Sequence, residues 1–336
     1  MIMLILTLWT RLPETRNSPV TKHPIFPIIG ISMHNHPEPI DEQLLQEPSQ
    51  AGIFLQSTAW GAFQTSVRNT AFVKQYHTQK VQIIVKRIFR WVYWYVPRAR
   101  MHQKTVDAIL ADALEQNVVY VHFEPLREVS VVSFPTKNVA PLQPHQTLII
   151  PVLSDDTAML TAMHSKTRYN ISLARKKGVE VIIDTEGKYT EDFVRLVSHT
   201  GERNRFGTHS PSYYRACIQQ ESAFLVVARF NGDVIAVHLY WEFGDTVTYL
   251  HGGSASVHRE VMGPYAVHLT ALQETRRRGC LYYDMWGIDD VKWVSLTRFK
   301  KGFGGFVVDY PAGFHAILSL WQYRIISLAR FVKRLV

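Results

Sequence analysis

The sequence predicts an α/β (α+β) protein with two similar units in tandem, each a mixed sheet flanked by helices. The chain has 336 residues, 46% of them hydrophobic, which is enough to bury a full core in two domains of ordinary size. One order of elements, three strands followed by a helix and a further strand, also occurs twice along the chain. We therefore expect domains at 53–145 and 146–312, preceded by an extension at 1–52 and followed by a C-terminal segment at 313–336.

The first unit contains short apolar runs rich in β-branched and aromatic residues. These runs predict strands at 71–77, 81–88, 91–96 and 118–123, with a helix at 104–116 before the last strand. The apolar residues of that helix recur at the spacing of one helical face: Val106, Ile109, Leu110, Ala113 and Leu114. We expect this face to pack on the sheet.

The second unit repeats that order after a strand at 148–153 and two helical stretches within 155–177. The predicted strands lie at 223–230, 234–243, 247–251 and 281–286, and the helix lies at 264–278. Pro264 suits the first position of this helix, and Gly279 suits the residue just past its last turn.

The N-terminal region is expected to stand apart from the fold. Residues 1–9 are apolar, but about twenty residues are needed to span a bilayer. Seven prolines among the polar residues of 11–50 predict a mobile extension or a start codon assigned too far upstream. His34 and His36 lie in this region without a third ligand, so we interpret them as solvated and predict no metal site.

The amino-acid composition indicates the kind of partner and the cellular compartment of the protein. The excess of Lys and Arg over Asp and Glu gives a net charge of +9, which favours an anionic partner such as nucleic acid, a phosphorylated molecule or a membrane face. The two cysteines, Cys217 and Cys280, are far apart and form no Cys-x-x-Cys pair. A reducing cytoplasm fits this usage better than a disulfide framework or a thiolate zinc site.

Residues 297–305 read TRFKKGFGG and carry the predicted chemistry. Phe299 and Phe303 are spaced to anchor one helical turn, and the glycines after them let the backbone approach a ligand closely. A lysine held there suits a site where negative charge develops. The alternative is a plain helix end whose lysines complement the helix dipole.

This stretch resembles the C-terminal motif Phe-Lys-x-Gly-Phe-Gly-Gly of the FemABX family of peptidyltransferases. Further matches follow in the family's order: FLQS at 54–57 with Trp60, KTRYNI at 166–171 with Ala174 and KGV at 177–179, and Thr200, Arg203 and Phe206. The resemblance covers most of 53–310. It implies two domains similar to GNAT acyltransferases, in the simpler FemX-type layout, where the last segment returns to the first domain.

The C-terminal segment fits that returning role as an amphipathic helix over 314–336. Its apolar residues are expected along one face packed on the first domain: Ile317, Leu318, Trp321, Ile325, Leu328, Val332 and Leu335. Its basic residues, Arg324, Arg330, Lys333 and Arg334, lie elsewhere. The end, 330–336, is expected to remain free and to touch an anionic membrane weakly.

The resemblance also implies the reaction and the residues that perform it. An amine of the stem peptide attacks the ester carbonyl of an aminoacyl-tRNA, and Lys300 matches the family's functional lysine as stabiliser of the developing charge. Lys301 is interpreted as a solvated or tRNA-facing charge. Glu124, followed by Pro125, is a candidate base for the amine's proton, with a structural ion pair as the alternative.

The candidate substrate-binding residues are spread over the chain: Trp60, Gln64, Lys166, Thr167, Arg168, Arg203, Phe206, Tyr249, His251 and Phe299. Arg168 and Lys166 are candidates for the phosphates of the precursor, or simply the polar face of a helix. Tyr249 and His251 alternate on a strand and are expected to face the side of Lys300, although a buried structural role suits His251 alone.

Two features of the sequence bear on the donor and the acceptor. The loop at 254–263 is bulky, carries an acid and ends at Pro264, which has no amide proton, so coenzyme A is the less expected donor. Gln64 stands where many members carry a lysine, which points away from the soluble nucleotide precursor and towards a lipid-linked one.

We therefore predict a cytoplasmic aminoacyltransferase that needs no cofactor or metal and that can lie peripherally at the inner face of the membrane. Its partners would be aminoacyl-tRNA and a peptidoglycan precursor, either lipid II or UDP-MurNAc-peptide. The alternatives are an N-acyltransferase that uses a coenzyme A or carrier donor, and a non-catalytic adaptor that binds tRNA or a membrane surface.

Overall fold

The computed structural model describes residues 52–129, 131 and 133–335, with side chains described up to residue 331. Two mixed sheets with helices on their faces make up these residues, so the predicted fold class is confirmed. The expectations for residues 1–51, including those for His34 and His36, lie outside the described residues.

The first sheet has six strands in the order β1-β2-β3-β4-β13-β5. All neighbours in it are antiparallel except β3 and β4, which run parallel. The elements up to β5 are α1 Thr58–Ser66, β1 Thr70–Tyr76, β2 Gln79–Ile88, β3 Trp91–Pro97, α2 Gln103–Glu115, β4 Tyr120–Glu124 and β5 Thr136–Asn138.

The second sheet has seven strands in the order β12-β6-β11-β10-β9-β8-β7. Its elements are β6 Gln146–Pro151, α3 Asp156–Ala162, α4 Ser165–Lys176, β7 Glu180–Asp184, α5 Thr190–Asn204, α6 Pro211–Ile218, β8 Ala223–Phe230, β9 Asp233–Phe243, β10 Thr246–Ser254, α7 Gly263–Arg277, β11 Tyr282–Gly287, α8 Val294–Lys301 and β12 Phe306–Asp309. β10 and β11 are parallel neighbours.

The strands and helices predicted for the two units are present, with ends that differ by a few residues. The spacing of α2 was informative because Val106, Ile109, Leu110 and Ala113 are buried against the first sheet. Leu114, at the edge of the same face, is half exposed.

The C-terminal segment returns to the first sheet, but the prediction of one helix from residue 314 is wrong. Phe314–Ile317 forms β13, which inserts between β4 and β5, and only Leu320–Leu335 is helical, as α9. All four β13 side chains are buried. The backbone groups of β4 and β5 gain partners by this insertion, and that gain outweighs the local helical pattern.

The predicted buried face of α9 is also wrong. Tyr323 and Ile326 are the side chains that α9 buries, whereas Trp321 and Leu328 are 58% and 59% exposed. Tyr323 suits the buried side because its hydroxyl lies 2.8 Å from Nδ1 of His315, which satisfies its polar end.

An aromatic core joins the two halves of the protein. Trp60 of α1 contacts Phe63 and Phe54 within the first half, and its ring centre lies 5.2 Å from that of Trp241 on β9. Buried residues of α5 and α6 complete this cluster. Side chains of both sheets therefore share one core.

Candidate active site at the diverging strands β10 and β11

The two parallel strands of the second sheet separate at one point. β10 and β11 pair from Thr246↔Tyr282 to Thr248↔Asp284. Beyond that point β10 stays with β9, while β11 continues along β6 to the pair Gly287↔Thr147. A gap thus opens at the carboxyl ends of two parallel strands, where open α/β sheets commonly bind ligands.

Lys300 of α8 projects into this point of separation. Its side chain is only 4% exposed, and its Nζ donates hydrogen bonds of 2.7 Å to the carbonyl oxygens of both Met285 and Gly287. The ring centre of Tyr249 lies 5.3 Å from the same Nζ. Burial lowers the pKa of Lys300 to about 7, although the charge of Asp284 opposes this shift. An ammonium donates three hydrogen bonds, so one proton is not used by these carbonyls.

Asp284 is a second titratable group at the same point, and the motif analysis missed it. One carboxylate oxygen accepts hydrogen bonds from the hydroxyl of Thr147 and from the backbone N–H of Trp286, the latter at 2.7 Å. The other oxygen has no hydrogen-bond partner among the described residues. Burial raises the pKa of Asp284 to about 6. A lone acid inside the apolar strand YYDMWG was the available signal.

Trp286 adopts a left-handed backbone conformation, with φ of 58°. This is unusual for a bulky residue and here accompanies its amide hydrogen bond to Asp284. The conformation interrupts the regular pairing of β11 with β6 between Asp284 and Gly287. The backbone strain therefore lies where the carbonyl acceptors of Lys300 are presented.

The site floor consists of neutral histidines and tyrosines. The rings of His238 and His268 lie 4.6 Å apart, and His238 lies 4.8 Å from Tyr249. Burial and the nearby charge of Lys300 lower the pKa of His238 to about 3. The pKa of His268 is lowered well below its usual value, chiefly by burial. Among these buried side chains, Lys300 therefore carries the positive charge.

His251 does not face Lys300, so that prediction is wrong. A β-bulge between Tyr249 and His251 breaks the alternation of side chains along β10. Tyr249 contacts the histidines beneath Lys300, whereas the ring of His251 packs on the opposite face against Tyr214 and His209. Burial lowers the pKa of His251 to about 3, which agrees with a neutral, packed ring.

Glu124 lies on the first sheet and is 1% exposed. Its carboxylate accepts hydrogen bonds from Tyr95, His122 and the backbone N–H groups of Leu142 and Gln143. Burial opposes its ionisation, but the hydrogen bond and charge of His122 and the other donors outweigh burial, so the pKa of Glu124 is lowered. Through the last two of these hydrogen bonds, Glu124 fixes the backbone of the segment between the two sheets.

Arg98 lies between the two carboxylates and was also missed. Its side chain is buried, donates to the carbonyl of Pro144 and stacks 3.6 Å from the ring centre of Tyr310. Its charge acts on both Glu124 and Asp284, since it helps to lower the pKa of each. The signal in the sequence was only an arginine after Pro97.

Gln64 is buried in α1 and belongs to a short polar chain. The Asn69 side-chain amide donates to Gln64 Oε1 at 2.9 Å, and Lys86 Nζ donates to Asn69 Oδ1 at 2.8 Å. Burial lowers the pKa of Lys86. No carboxylate among the described residues forms an ion pair with Lys86, whose charge also helps to lower the pKa of His209 from the other half. A cation from β2 therefore lies beside the position where the family often has a lysine.

The KTR motif begins α4. Thr167 is buried against Gly302, where an added Cβ would come within 2.5 Å of its hydroxyl. This close contact seats α4 beside the end of α8. Arg168 donates to the carbonyl oxygen of Met163 at the end of α3, and Lys166 is exposed.

The remaining predicted site residues have different surroundings. Arg203 donates to the carbonyl of Ser254 at 3.1 Å and to the hydroxyl of Ser256 at 3.0 Å, and so holds the start of the loop after β10. Phe206 is partly exposed near this helix end. Trp60 is a core residue between the two halves, and Phe299 is partly buried, with its ring 5.4 Å from that of His268.

The loop before α7 offers few amides to an anion. Met262 adopts a left-handed conformation, with φ of 60°, and accepts a hydrogen bond at its carbonyl from the N–H of Tyr265. Pro264 has no N–H, and the side chain of Val261 is buried. The N-terminus of α7 therefore lacks the row of free amides that a pyrophosphate requires.

Comparison with known proteins agrees with this architecture. The profile of the FemAB family matches residues 135–233 and 231–330. Lipid II:glycine glycyltransferase of Staphylococcus aureus is 23% identical, with 55% of this chain and 62% of that protein covered. The chain thus spans about 62% of the length of the curated relatives it matches.

Two solved structures share the fold. FemX has a TM-score of 0.67 at 19% identity, with 81% of this chain and 94% of that chain covered. L-PGS from Bacillus licheniformis has a TM-score of 0.52 at 13% identity, with 86% and 96% covered. The family profile covers more than half of the chain and the two-sheet fold is shared with FemX, so this chain belongs to the FemAB family.

Proposed function

We propose that the protein transfers an amino acid from aminoacyl-tRNA to the stem-peptide amine of a lipid-linked peptidoglycan precursor. Family membership and the glycyltransferase relative support a bridge-forming acyltransferase. The observation that carries the proposal is the buried pair of Lys300 and Asp284 at the point where β10 and β11 separate. Groups whose environments shift their pKa values towards neutrality mark sites of charge and proton transfer.

In the proposed reaction the amine nitrogen attacks the ester carbonyl of the donor. The new C–N bond forms a tetrahedral intermediate, the C–O bond to the ribose then breaks, and the ribose oxygen leaves as a hydroxyl by taking up the proton that the amine loses. The proton of Lys300 that the carbonyls of Met285 and Gly287 do not use would face the developing oxyanion. In a buried site such a donor acts with little screening by water.

The amine must also lose a proton, and Asp284 is the better-suited acceptor. One of its oxygens is unpartnered among the described residues, and its pKa of about 6 suits proton transfer near neutral pH. Glu124 has a lowered pKa and its oxygens are occupied by donors. We therefore assign Glu124 a structural role, the ion-pair alternative to a catalytic base, in which its carboxylate fixes the segment between the two sheets.

An aminoacyl-tRNA donor is supported over coenzyme A by the loop before α7 and by the net charge of +9. For the acceptor, the half-buried Lys86 is the cation placed to contact a phosphate. Many family members have a lysine at the position of Gln64. In this chain Lys86 would supply that positive charge, because it donates to Asn69, which in turn donates to Gln64. Its lowered pKa reflects burial without an anionic partner, a cost that a bound phosphate would offset.

One experiment separates the candidate functions. The protein is incubated with mixed charged tRNAs and either lipid II or UDP-MurNAc-pentapeptide, and in parallel with acetyl-CoA, and the products are weighed by mass spectrometry. We expect a mass increase of one or more amino acids on lipid II. Acetylation would favour the coenzyme A alternative, and tRNA binding without any product would favour the adaptor.

A further inference from the structure

Helix α9 is apolar on two opposite sides. One side is buried through Tyr323 and Ile326 against the first sheet. The other side is exposed and consists of Leu320, Trp321, Ile325, Leu328 and Phe331, all more than two fifths exposed. No described residue covers this side. Contiguous exposed apolar side chains of this size mark an interaction surface rather than ordinary exposure.

The turn between β2 and β3 extends the same surface. Phe89 at its tip is 78% exposed and adopts a left-handed conformation, with φ of 54°. Phe89 and Arg87 line a cleft together with Ala329 and Arg330 of α9. On the other strand of this hairpin, the ring of Trp91 lies 6.1 Å from that of Trp321. The hairpin tip and α9 are therefore side by side.

The two segments that form this surface carry side-chain charges of one sign only. Neither the hairpin at 79–97 nor the segment at 311–336 contains an aspartate or a glutamate. Arg87, Arg90 and Arg324 are exposed within it. Arg330 is held by its hydrogen bond of 2.9 Å to the hydroxyl of Tyr120 and stacks near the ring of Tyr93. Exposed apolar and aromatic side chains bordered by arginines are complementary to an anionic lipid surface.

We propose that the apolar side of α9 and the Phe89 turn together form a docking surface for an anionic membrane. The helix would lie in the plane of the interface, with its apolar side chains inserted and its arginines at the headgroups. The purpose of this docking would be access to a lipid-linked acceptor, and that purpose rests on the proposed function. The surface itself does not, because it is argued from exposure and charge alone.

A protein partner or a second copy is the other occupant of such a surface. A second copy would bring an identical array of arginines against the first, and the segments 79–97 and 311–336 offer no acid to neutralise them. An anionic bilayer supplies that neutralisation. The charge of the surface thus favours lipid as the occupant.

The test uses the full-length protein and sedimentation with vesicles of phosphatidylglycerol and phosphatidylcholine, without tRNA or precursor. We expect binding at low salt that is lost at high salt and on pure phosphatidylcholine. Phe89→Gln and Leu328→Gln should each weaken partitioning by about tenfold or more, because each removes one inserted side chain. Arg90→Gln with Arg324→Gln should weaken binding at low salt by a similar factor.

Matched controls come from other exposed positions. Leu114→Gln on α2 replaces one exposed leucine and Lys177→Gln after α4 removes one exposed positive charge, and each should leave partitioning unchanged. Absence of low-salt vesicle binding by the wild-type protein would overturn the proposal. So would equal effects of the control variants, or a concentration-dependent dimer that Leu328→Gln abolishes. Vesicle binding by a protein that transfers no amino acid would leave this inference intact and remove only the proposed function.

Discussion

His122 and His315 share a buried hydrogen bond of 3.2 Å between Nδ1 and Nε2 that joins β4 to the returning strand β13. The chain continues at both ends, from His122 to Glu124 at 3.1 Å and from His315 to Tyr323 at 2.8 Å. These links form one buried hydrogen-bonded chain, in which the donor and the acceptor of each link depend on the tautomers of the two rings. These hydrogen bonds connect α9 to Glu124, which in turn binds the segment between the two sheets.

Buried neutral histidines predict a pH dependence of stability. Burial lowers the pKa of His315, His238 and His251 from 6.5 to about 3. The unfolded chain binds these protons below pH 6.5 and the native state does not. The contribution of these three histidines to the free energy of unfolding is therefore constant above that pH and falls as the pH drops towards 3, by up to about 1.4 kcal/mol per pH unit for each histidine.

Denaturant unfolding at pH 7.5 and 5.5 measures this fall. His315→Phe keeps an aromatic ring but removes the hydrogen-bond partner of His122 Nδ1 and one partner of the Tyr323 hydroxyl, so it should lower the free energy of unfolding by about 1–3 kcal/mol at pH 7.5. It should also reduce the loss between the two pH values. His77→Asn, at an exposed position, should change neither quantity. An unchanged pH slope in His315→Phe would contradict the assignment.

Lys300→Met removes the charge at the diverging strands and keeps most of the apolar stem. Turnover should fall by about two to three orders of magnitude, which is the usual effect of losing one oxyanion donor. The variant also leaves the carbonyls of Met285 and Gly287 unpaired, so its fold is checked by thermal unfolding. Lys301→Met is the matched control, because Lys301 is exposed and paired with Asp290. Full activity in folded Lys300→Met would exclude the proposed role.

The pH–rate profile should be bell-shaped with a narrow optimum. Asp284 must be ionised to accept a proton, so the rate rises through its pKa of about 6. Lys300 must be protonated to stabilise the oxyanion, so the rate falls above its pKa of about 7. Because the two groups interact, the two limbs report the pair. Asp284→Asn should remove the acidic limb and most of the rate; a retained acidic limb would assign it to another group.

Lys86→Met should raise KM for the phosphate-bearing acceptor by about tenfold and leave kcat nearly unchanged. The reason is that a charge-assisted hydrogen bond to a phosphate contributes to binding in both the ground and transition states. Lys80→Met on the same strand is the control, since Lys80 is exposed. Steady-state kinetics with lipid II at saturating donor distinguishes the two variants. A change confined to kcat would show that Lys86 does not contact the acceptor.

Acetyl-CoA at millimolar concentration should not shift the melting temperature or give heat in calorimetry. The loop before α7 lacks the free amides for its pyrophosphate. A ligand present at 100 times its dissociation constant would add about 2.7 kcal/mol to the free energy of unfolding. A clear stabilisation by acetyl-CoA, absent with ATP as a phosphate control, would favour the coenzyme A alternative.

The sequence by itself determined the order and type of most elements, because these depend on near neighbours along the chain. The apolar spacing of α2 and the proline at the start of α7 are local signals, and the structure confirms both elements. The matches from FLQS to FKKGFGG likewise indicated the family, which the profile confirms.

Only the tertiary structure decided what the site residues contact, since those contacts join distant parts of the chain. Phe314–Ile317 is a strand because β4 and β5 offer it partners, and α9 buries Tyr323 because its hydroxyl forms a hydrogen bond with His315. A bulge invisible in the alternation of β10 turned His251 away from Lys300. The hydrogen bonds that connect Lys86 to Gln64 through Asn69 arise from packing, and the raised pKa of Asp284 arises from desolvation. Both are set by the assembled fold rather than by any local sequence pattern.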